Sequence, residues 1–208
     1  MFKNRAEAGK LLAQKLAHYR DTGALVLALP RGGVVVGAEV AQALASPLDI
    51  IAVRKVGHPH HPEYAIGAVD ESGGIFMNEM ETASIDQSWL KEEIKRERAE
   101  ALRRARVYRG AHGPLNVEGK TVIIADDGIA TGLTMRLAVE SAKKRGAKKI
   151  VVAVPVAPPE AVAQLTRGGA EVVTLEPPEA FLGAVGAHYL EFAQTQDDEV
   201  IRLMRSSR

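Results

Sequence analysis

The sequence predicts an α/β fold built on a mainly parallel β-sheet, and three observations predict it. Residues 24–29 are a continuous apolar run with no polar alternation, and strands 121–125 and 149–154 are apolar after their first residues, Thr121 and Lys149. Such runs suit strands covered on both faces, as in a parallel sheet. Each run gives way to a turn rich in Gly or Pro, and then to a stretch with helical spacing of apolar residues. Strands alternating with helices favour parallel pairing through crossover connections.

The elements follow in order. Residues 4–20 carry Ala8, Leu11, Leu12, Leu16 and Ala17 at helical spacing, and Asp21-Thr22-Gly23 stops the helix. Strand 24–29 ends in Pro30-Arg31-Gly32-Gly33, and residues 34–44 read as a helix. A second short strand covers 49–53 and is followed by Arg54-Lys55. Residues 56–63, rich in His and Pro, read as irregular. Two short strands, 64–69 and 74–78, flank the turn Asp70-Glu71-Ser72-Gly73. Residues 88–106 form a charged helix with Glu92/Arg96 and Glu100/Arg104 at i,i+4 spacing on a solvated face. A loop covers 110–119, and strand 121–125 leads into loop 126–134. Helix 135–144, strand 149–154, helix 159–166, strand 171–175 and a final helix 197–205 complete the chain. One domain over residues 1–208 is expected, with 56–119 as a flap or insertion near the site and 176–208 as a tail.

Composition narrows the function. Hydrophobic residues make up 46% and charged residues 25%, the balance of a soluble globular domain. The net charge of +1 gives no general attraction to nucleic acid or anionic lipid, so any anion must be held by locally placed donors. With no cysteine, disulfides, thiolate catalysis and cysteine-ligated zinc are excluded. The first residues turn charged at once, unlike a signal peptide, and no apolar stretch is long enough to span a bilayer. A cytoplasmic location is the expectation. His58-Pro59-His60-His61 fits no standard zinc spacing, and no protein-only metal site is expected.

The most informative stretch is residues 122–134. A buried strand delivers Asp126 and Asp127 to its carboxyl end, where open α/β sheets bind ligands. Gly128, Ile129, Ala130, Thr131, Gly132, Leu133 and Thr134 follow. The glycines let backbone N–H groups approach a ligand, the threonines add hydroxyls, and the next helix points its N-terminus at the same spot. That is a cradle for a phosphate. Adjacent carboxylates accept hydroxyl hydrogen bonds, so a phosphorylated sugar satisfies both halves. Both carboxylates are expected at an exposed strand end. A Walker loop is ruled out because Ala38-Glu39 follows Gly37 where Lys-Ser/Thr is required, and the dinucleotide pattern Gly-x-Gly-x-x-Gly is missing after the first strand. Arg31 after the first strand and Arg54-Lys55 after the second bring cations to the same sheet edge.

Residues 126–134 closely resemble the signature of type I phosphoribosyltransferases, an acidic pair followed by an Ala-Thr-Gly-x-Thr phosphate loop. The resemblance implies a Rossmann-like sheet with a small hood or flap. It implies that Asp126 and Asp127 hold the ribose hydroxyls of 5-phosphoribosyl-1-pyrophosphate (PRPP), and that residues 128–134 hold its 5-phosphate. Arg31, Gly32 and Gly33 match the family's pyrophosphate loop, which in many members contains a cis non-proline peptide. Arg54 and Lys55 match a basic pair facing pyrophosphate. Magnesium would be bound mainly through the substrate. The implied reaction is phosphoribosyl transfer to a nitrogen nucleophile, with Asp126, Asp127, Arg31 and Lys55 as the active residues. Ala130 stands where members using 6-oxopurines carry an aspartate, which disfavours hypoxanthine and guanine. Expected partners are PRPP and an acceptor base, with a homodimer as an option. A second reading is a regulator that senses PRPP without catalysis, although the lack of a basic stripe weighs against nucleic acid. Tyr108-Arg109 is a lesser candidate for a loop over pyrophosphate. Phe181, Tyr189 and Phe192 are candidates for stacking on a base, with plain packing of the tail preferred.

Overall fold

The fold rests on five parallel strands whose side chains alternate between two apolar layers. The computed structural model describes residues 1–206, Glu63 by its backbone alone. Helix α1 (Arg5–Lys15) is capped by the Asn4 side chain, which accepts from the Glu7 N–H. Strand β1 (Leu25–Ala28) leads into α2 (Gly32–Leu44), and β2 (Leu48–Ile50) follows. After an intervening segment come β6 (Thr121–Ala125), α5 (Leu133–Lys144), β7 (Lys149–Val154), α6 (Pro159–Arg167) and β8 (Glu171–Thr174). The sheet order is β2-β1-β6-β7-β8. Every pairing in it is parallel, with Ala28 opposite Ala125 and Ala125 opposite Ala153.

The apolar runs have the expected cause. Val26, Ala28, Ile123 and Ala125 pack with α1, α2 and Val200 and Met204 of α7 (Asp197–Ser206). Leu25, Leu27, Val122 and Ile124 pack on the other face with Met135, Leu137, Ala161 and Leu165 of α5 and α6. Both faces are covered, so neither needs polar residues.

The structure departs from expectation between β2 and β6. Residues 49–53 are not one strand: β2 stops at Ile50, and β3 (Val53–His58) begins a separate antiparallel sheet, β3-β4-β5. The Ile51 N–H still reaches the Ala28 carbonyl at 3.0 Å, which holds the two sheets together at this bend. The His/Pro stretch is not irregular. It is the closed end of a hairpin, with β4 (His61–Asp70) pairing back and His58 opposite His61. Register shifts beside Gly57 absorb the irregularity, the setting in which a strand tolerates proline. Strand β5 (Ile75–Met77) and the short α3 (Glu79–Thr82) precede α4 (Gln87–Arg109).

Helix α4 is less solvated than its charges suggest. Glu93 and Glu97 are buried, and Arg96 pairs with these two rather than with Glu92, whereas Glu100–Arg104 forms as expected at 2.8 Å. Tyr108 and Arg109 are not a loop over the site; they close this helix, and both are buried. Arg109 donates to Asp49 on β2, to the Ile50 carbonyl and twice to Glu71 after β4, at 2.6–2.8 Å. Burial pulls its pKa down, but Glu71 and Asp49 outweigh burial and leave it raised. Asp49 is completely buried and also accepts from the Leu115 N–H.

Removing one member of such a buried group strands the others. Arg109→Leu is expected to lose about 3–5 kcal/mol of unfolding free energy, the range for breaking a buried ion pair. Urea denaturation monitored by circular dichroism checks this, and a loss below about 1 kcal/mol, the surface-pair range, would contradict it.

Candidate functional site

Strands β1 and β6 are neighbours, so the loops at their carboxyl ends meet. The Pro30–Arg31 peptide is cis, as the resemblance implies, and α2 starts directly at Gly32 with Arg31 as its N-cap. This helix begins two residues earlier than its apolar pattern indicates. Gly32 and Gly33 lie against the acidic pair: a Cβ on Gly33 would stand 2.8 Å from Asp126 Oδ1 and 2.9 Å from the Ala125 carbonyl, and one on Gly32 would overlap Asp127 Oδ2. No larger residue fits there without moving the carboxylates.

Those carboxylates are not at an open strand end. Asp126 Oδ1 accepts the Asp127 N–H at 2.8 Å. Asp127 Oδ2 accepts from Arg5 Nε at 2.6 Å, and both of those side chains are less than one-fifth exposed. Arg5 also donates to the Ala193 carbonyl at 2.7 Å and stacks over the Phe192 ring at 3.8 Å. Tyr189 donates its hydroxyl to the Asp127 carbonyl at 2.6 Å. Burial, with the Asp127 charge next to it, pushes the Asp126 carboxyl well above the ordinary range. Burial raises Asp127 too, with Arg5 pulling the other way.

The loop after the pair is exposed where it was read as a cradle. Ala130 and Thr131 are exposed, and Leu133 and Thr134 are half-buried at the start of α5. Gly132 is the N-cap at φ +80°, a left-handed conformation that favours glycine, and no side chain caps the helix. Among the described residues, the N–H groups of Ala130, Thr131, Gly132, Leu133 and Thr134 have no acceptor. Ile129 differs. Its side chain is buried and its N–H donates to the Val156 carbonyl at 2.9 Å, so it anchors the loop.

The basic residues divide. Arg31 leans on Asp197 at the start of α7, at 3.4 Å, and Asp197 also accepts the Tyr108 hydroxyl at 2.7 Å. Burial and Asp197 push the Tyr108 hydroxyl up to about 12. Arg54 and Lys55 do not follow a strand of the main sheet; they lie within β3, on opposite faces. Arg54 pairs with Val69 across the hairpin and holds Glu97 at 2.8 Å. Lys55 pairs with Ala68, whose face packs with Ile129 and Met135 beside the loop. The structure thus gathers Arg31, Gly32, Gly33, Asp126, Asp127 and residues 128–134 at one edge, with Lys55 on the adjoining face and Arg54 turned away.

The sequence gives no sign of Arg5 and Asp197 as site neighbours, and it offers Tyr189 only as a residue that could stack on a base. The stacking candidates Tyr189 and Phe192 pack instead on each other and, with Phe181, around Phe2, Ala8 and Val156.

The two aspartates are expected to differ in stability effects. A carboxyl with a raised folded-state pKa stabilises the fold while protonated. That contribution is lost as pH rises from the unfolded value of about 4 through the folded one. Asp126→Asn should therefore match or exceed the parent in stability near neutral pH, with the gap closing in acid. Asp127, also raised, shares that pH dependence but has Arg5 opposite it, so Asp127→Asn removes the charge facing Arg5 and should lose about 1.5–3 kcal/mol, the scale of a hydrogen bond to a charged group. Urea titrations at acid and mildly alkaline pH separate the two; a less stable Asp126→Asn at alkaline pH would contradict the burial argument.

The chain is similar to known proteins over almost its whole length. A family model described as "Phosphoribosyl transferase domain" matches residues 2–191. Proteins from two strains of Mycobacterium tuberculosis, each named "Putative phosphoribosyl transferase", are 40% identical over 206 residues. Those matches cover 98% of this chain and 46% of theirs, so the chain spans about half the length of these curated relatives. The crystal structure of TT1426 from Thermus thermophilus is 43% identical, with a TM-score of 0.82 over 99% of this chain and 98% of that one. A hypothetical protein from Neisseria gonorrhoeae with bound ppGpp is 16% identical, with a TM-score of 0.50 over 100% of this chain and 99% of its own, a likeness of fold alone. The chain belongs to the phosphoribosyl transferase domain family.

Proposed function

We propose that this protein binds PRPP and transfers its phosphoribosyl group to a nitrogen nucleophile, releasing pyrophosphate. The observation that carries this is the run of unpaired N–H groups over residues 130–134, directly after two carboxylates that face a glycine turn. The 5-phosphate sits on that run and on the α5 N-terminus. Thr131 and Thr134 add hydroxyl donors. Asp126 and Asp127 take the two ribose hydroxyls, which stabilise the ionised form of Asp126. The diphosphate lies toward Gly32, Gly33 and Arg31, with Arg31 exchanging Asp197 for a diphosphate oxygen. Lys55 adds charge from the small sheet.

The chemistry asks little of the protein beyond placement. The bond from C1 to the diphosphate oxygen breaks, a C1–N bond forms, and the acceptor nitrogen loses a proton. The sugar passes through an oxocarbenium-like state, so positioning and charge stabilisation carry the rate. No group of three or more His, Asp or Glu able to hold a metal occurs among the described residues. Magnesium would come with the substrate, and Asp126 and Asp127 would help to hold it through the ribose hydroxyls they bind. When bound, the ion neutralises charge on the leaving diphosphate. Ala130, exposed beside Thr131, offers no acid or base to an acceptor ring.

A screen of nucleobases and simple amines for pyrophosphate release, run with PRPP and magnesium, tests the reading. PRPP binding with no release for any acceptor would favour the sensing alternative. Failure to bind PRPP at all would remove both. For the diphosphate side, Arg31→Ala and Lys55→Ala are each expected to weaken PRPP by roughly 1–3 kcal/mol and ribose 5-phosphate far less. Arg54→Ala, committed to Glu97, should change neither much. Calorimetric titration of both ligands checks this, and equal losses for both would place Arg31 and Lys55 elsewhere.

A further inference from the structure

A cavity of about 330 Å³ opens between the last turns of α4, the second half of α5, the Glu71-Ser72 turn and the loop after Gly110. It is separate from the site described above. Ser141, which lines it, follows Leu133 by eight residues, about 12 Å along α5, and so lies toward the opposite edge of the sheet. The size is at the lower end for small-molecule sites.

Its lining is chemically specific. Leu102, Ala105 and Pro114 supply apolar wall. Arg106, His112 and Arg145 supply positive or ionisable groups. Arg106 is exposed and has no ion-pair partner among the described residues. Arg145 spends one donor on the Leu115 carbonyl and has others left. Arg109 at the back is already engaged by Asp49 and Glu71. Ser141 is 4% exposed, and among the described residues its hydroxyl has no hydrogen-bond partner. Among those residues the one fully enclosed side-chain atom without a partner is Asp70 Oδ2, so the Ser141 oxygen keeps contact with the cavity. A nearly buried hydroxyl aimed into a space rimmed by arginines is a donor awaiting an acceptor.

We propose that this cavity is a second binding site, for a small organic anion with a flat apolar body. The anionic group sits between Arg106 and Arg145, the body lies along Leu102, Ala105 and Pro114, and Ser141 donates to a polar atom on it. Carboxylates and phosphate monoesters share this chemistry. Such binding holds whether or not the chain takes PRPP at the sheet edge.

The probes are naphthoate, naphthyl phosphate and the neutral naphthylmethanol, titrated into the full chain by calorimetry with and without saturating ribose 5-phosphate. At least one anion should bind, the neutral analogue more weakly, and ribose 5-phosphate should leave that binding unchanged. Arg106→Ala should weaken it roughly tenfold, the loss of one charge-assisted hydrogen bond. Ser141→Leu should abolish it by filling the space, and should Ser141→Leu not fold, Ser141→Ala is expected to weaken it. The arm that binds more tightly identifies carboxylate or phosphate as the anionic group. Binding of neither anion, displacement by ribose 5-phosphate, or indifference to Arg106→Ala and the Ser141 variants would each overturn the proposal.

Discussion

The parallel pairing of β1 with β6 is the constraint on which the rest of the site depends. Ala28 lies opposite Ala125, so both strands end at the same level and their loops emerge side by side. Everything at the carboxyl edge follows from that level ending. The turn after β1 has to fit against whatever β6 delivers, and β6 delivers two carboxylates. Only residues without a Cβ leave room, which explains Gly32 and Gly33 more directly than a need for backbone flexibility. The two α-helix starts, at Gly32 and Leu133, then face the same region, and their partial positive charge favours an anion there.

Charge at this edge is compensated from inside the chain. Asp127 has Arg5, and Arg31 has Asp197, which Tyr108 also holds. In the proposed reading, Asp127 and Arg31 already hold ionic partners, whereas Asp126 accepts only the Asp127 N–H. Its burial beside a second carboxylate is unfavourable for the fold and useful for a ligand bringing hydroxyl donors and a cation. Local instability of this sort is a regular property of binding sites, where residues are retained for the ligand rather than for the fold.

What was legible in the sequence was local. The main strands showed as unbroken apolar runs, and the acidic pair and phosphate loop lie within one strand–loop–helix unit of consecutive residues. What was not legible is contact between distant segments. Arg5 meets Asp127 across 122 positions, and an arginine in the first turn of a helix carries no mark of such a partner. The break between β2 and β3 was hidden because Ile51 and Ala52 are as apolar as the strands they separate. The β3–β4 hairpin was hidden by Pro59 and Pro62, residues that argue against strand and are tolerated here by a register shift. Arg54 and Lys55 were placed together because they are adjacent, yet adjacency in a strand means opposite faces. Arg109 offered itself as a lesser candidate for a loop over pyrophosphate, when its partners come from β2 and from the turn after β4.

That arginine bears on how the molecule moves. Arg109 ties the end of α4 to the main sheet through Asp49 and to the small sheet through Glu71, while the Glu71 N–H reaches the Ala52 carbonyl at 3.1 Å. The small sheet is therefore riveted at its root. Its other extremity, the His58–His61 bend, lies at the far end of β3, where His58, Pro59 and Pro62 line a recess together with Trp89 and Glu93 of α4. A hinge at the junction with the main sheet is blocked as long as the rivet holds, so any opening toward solvent proceeds by flexing of β3 and β4 rather than by rotation of the sheet as a plate.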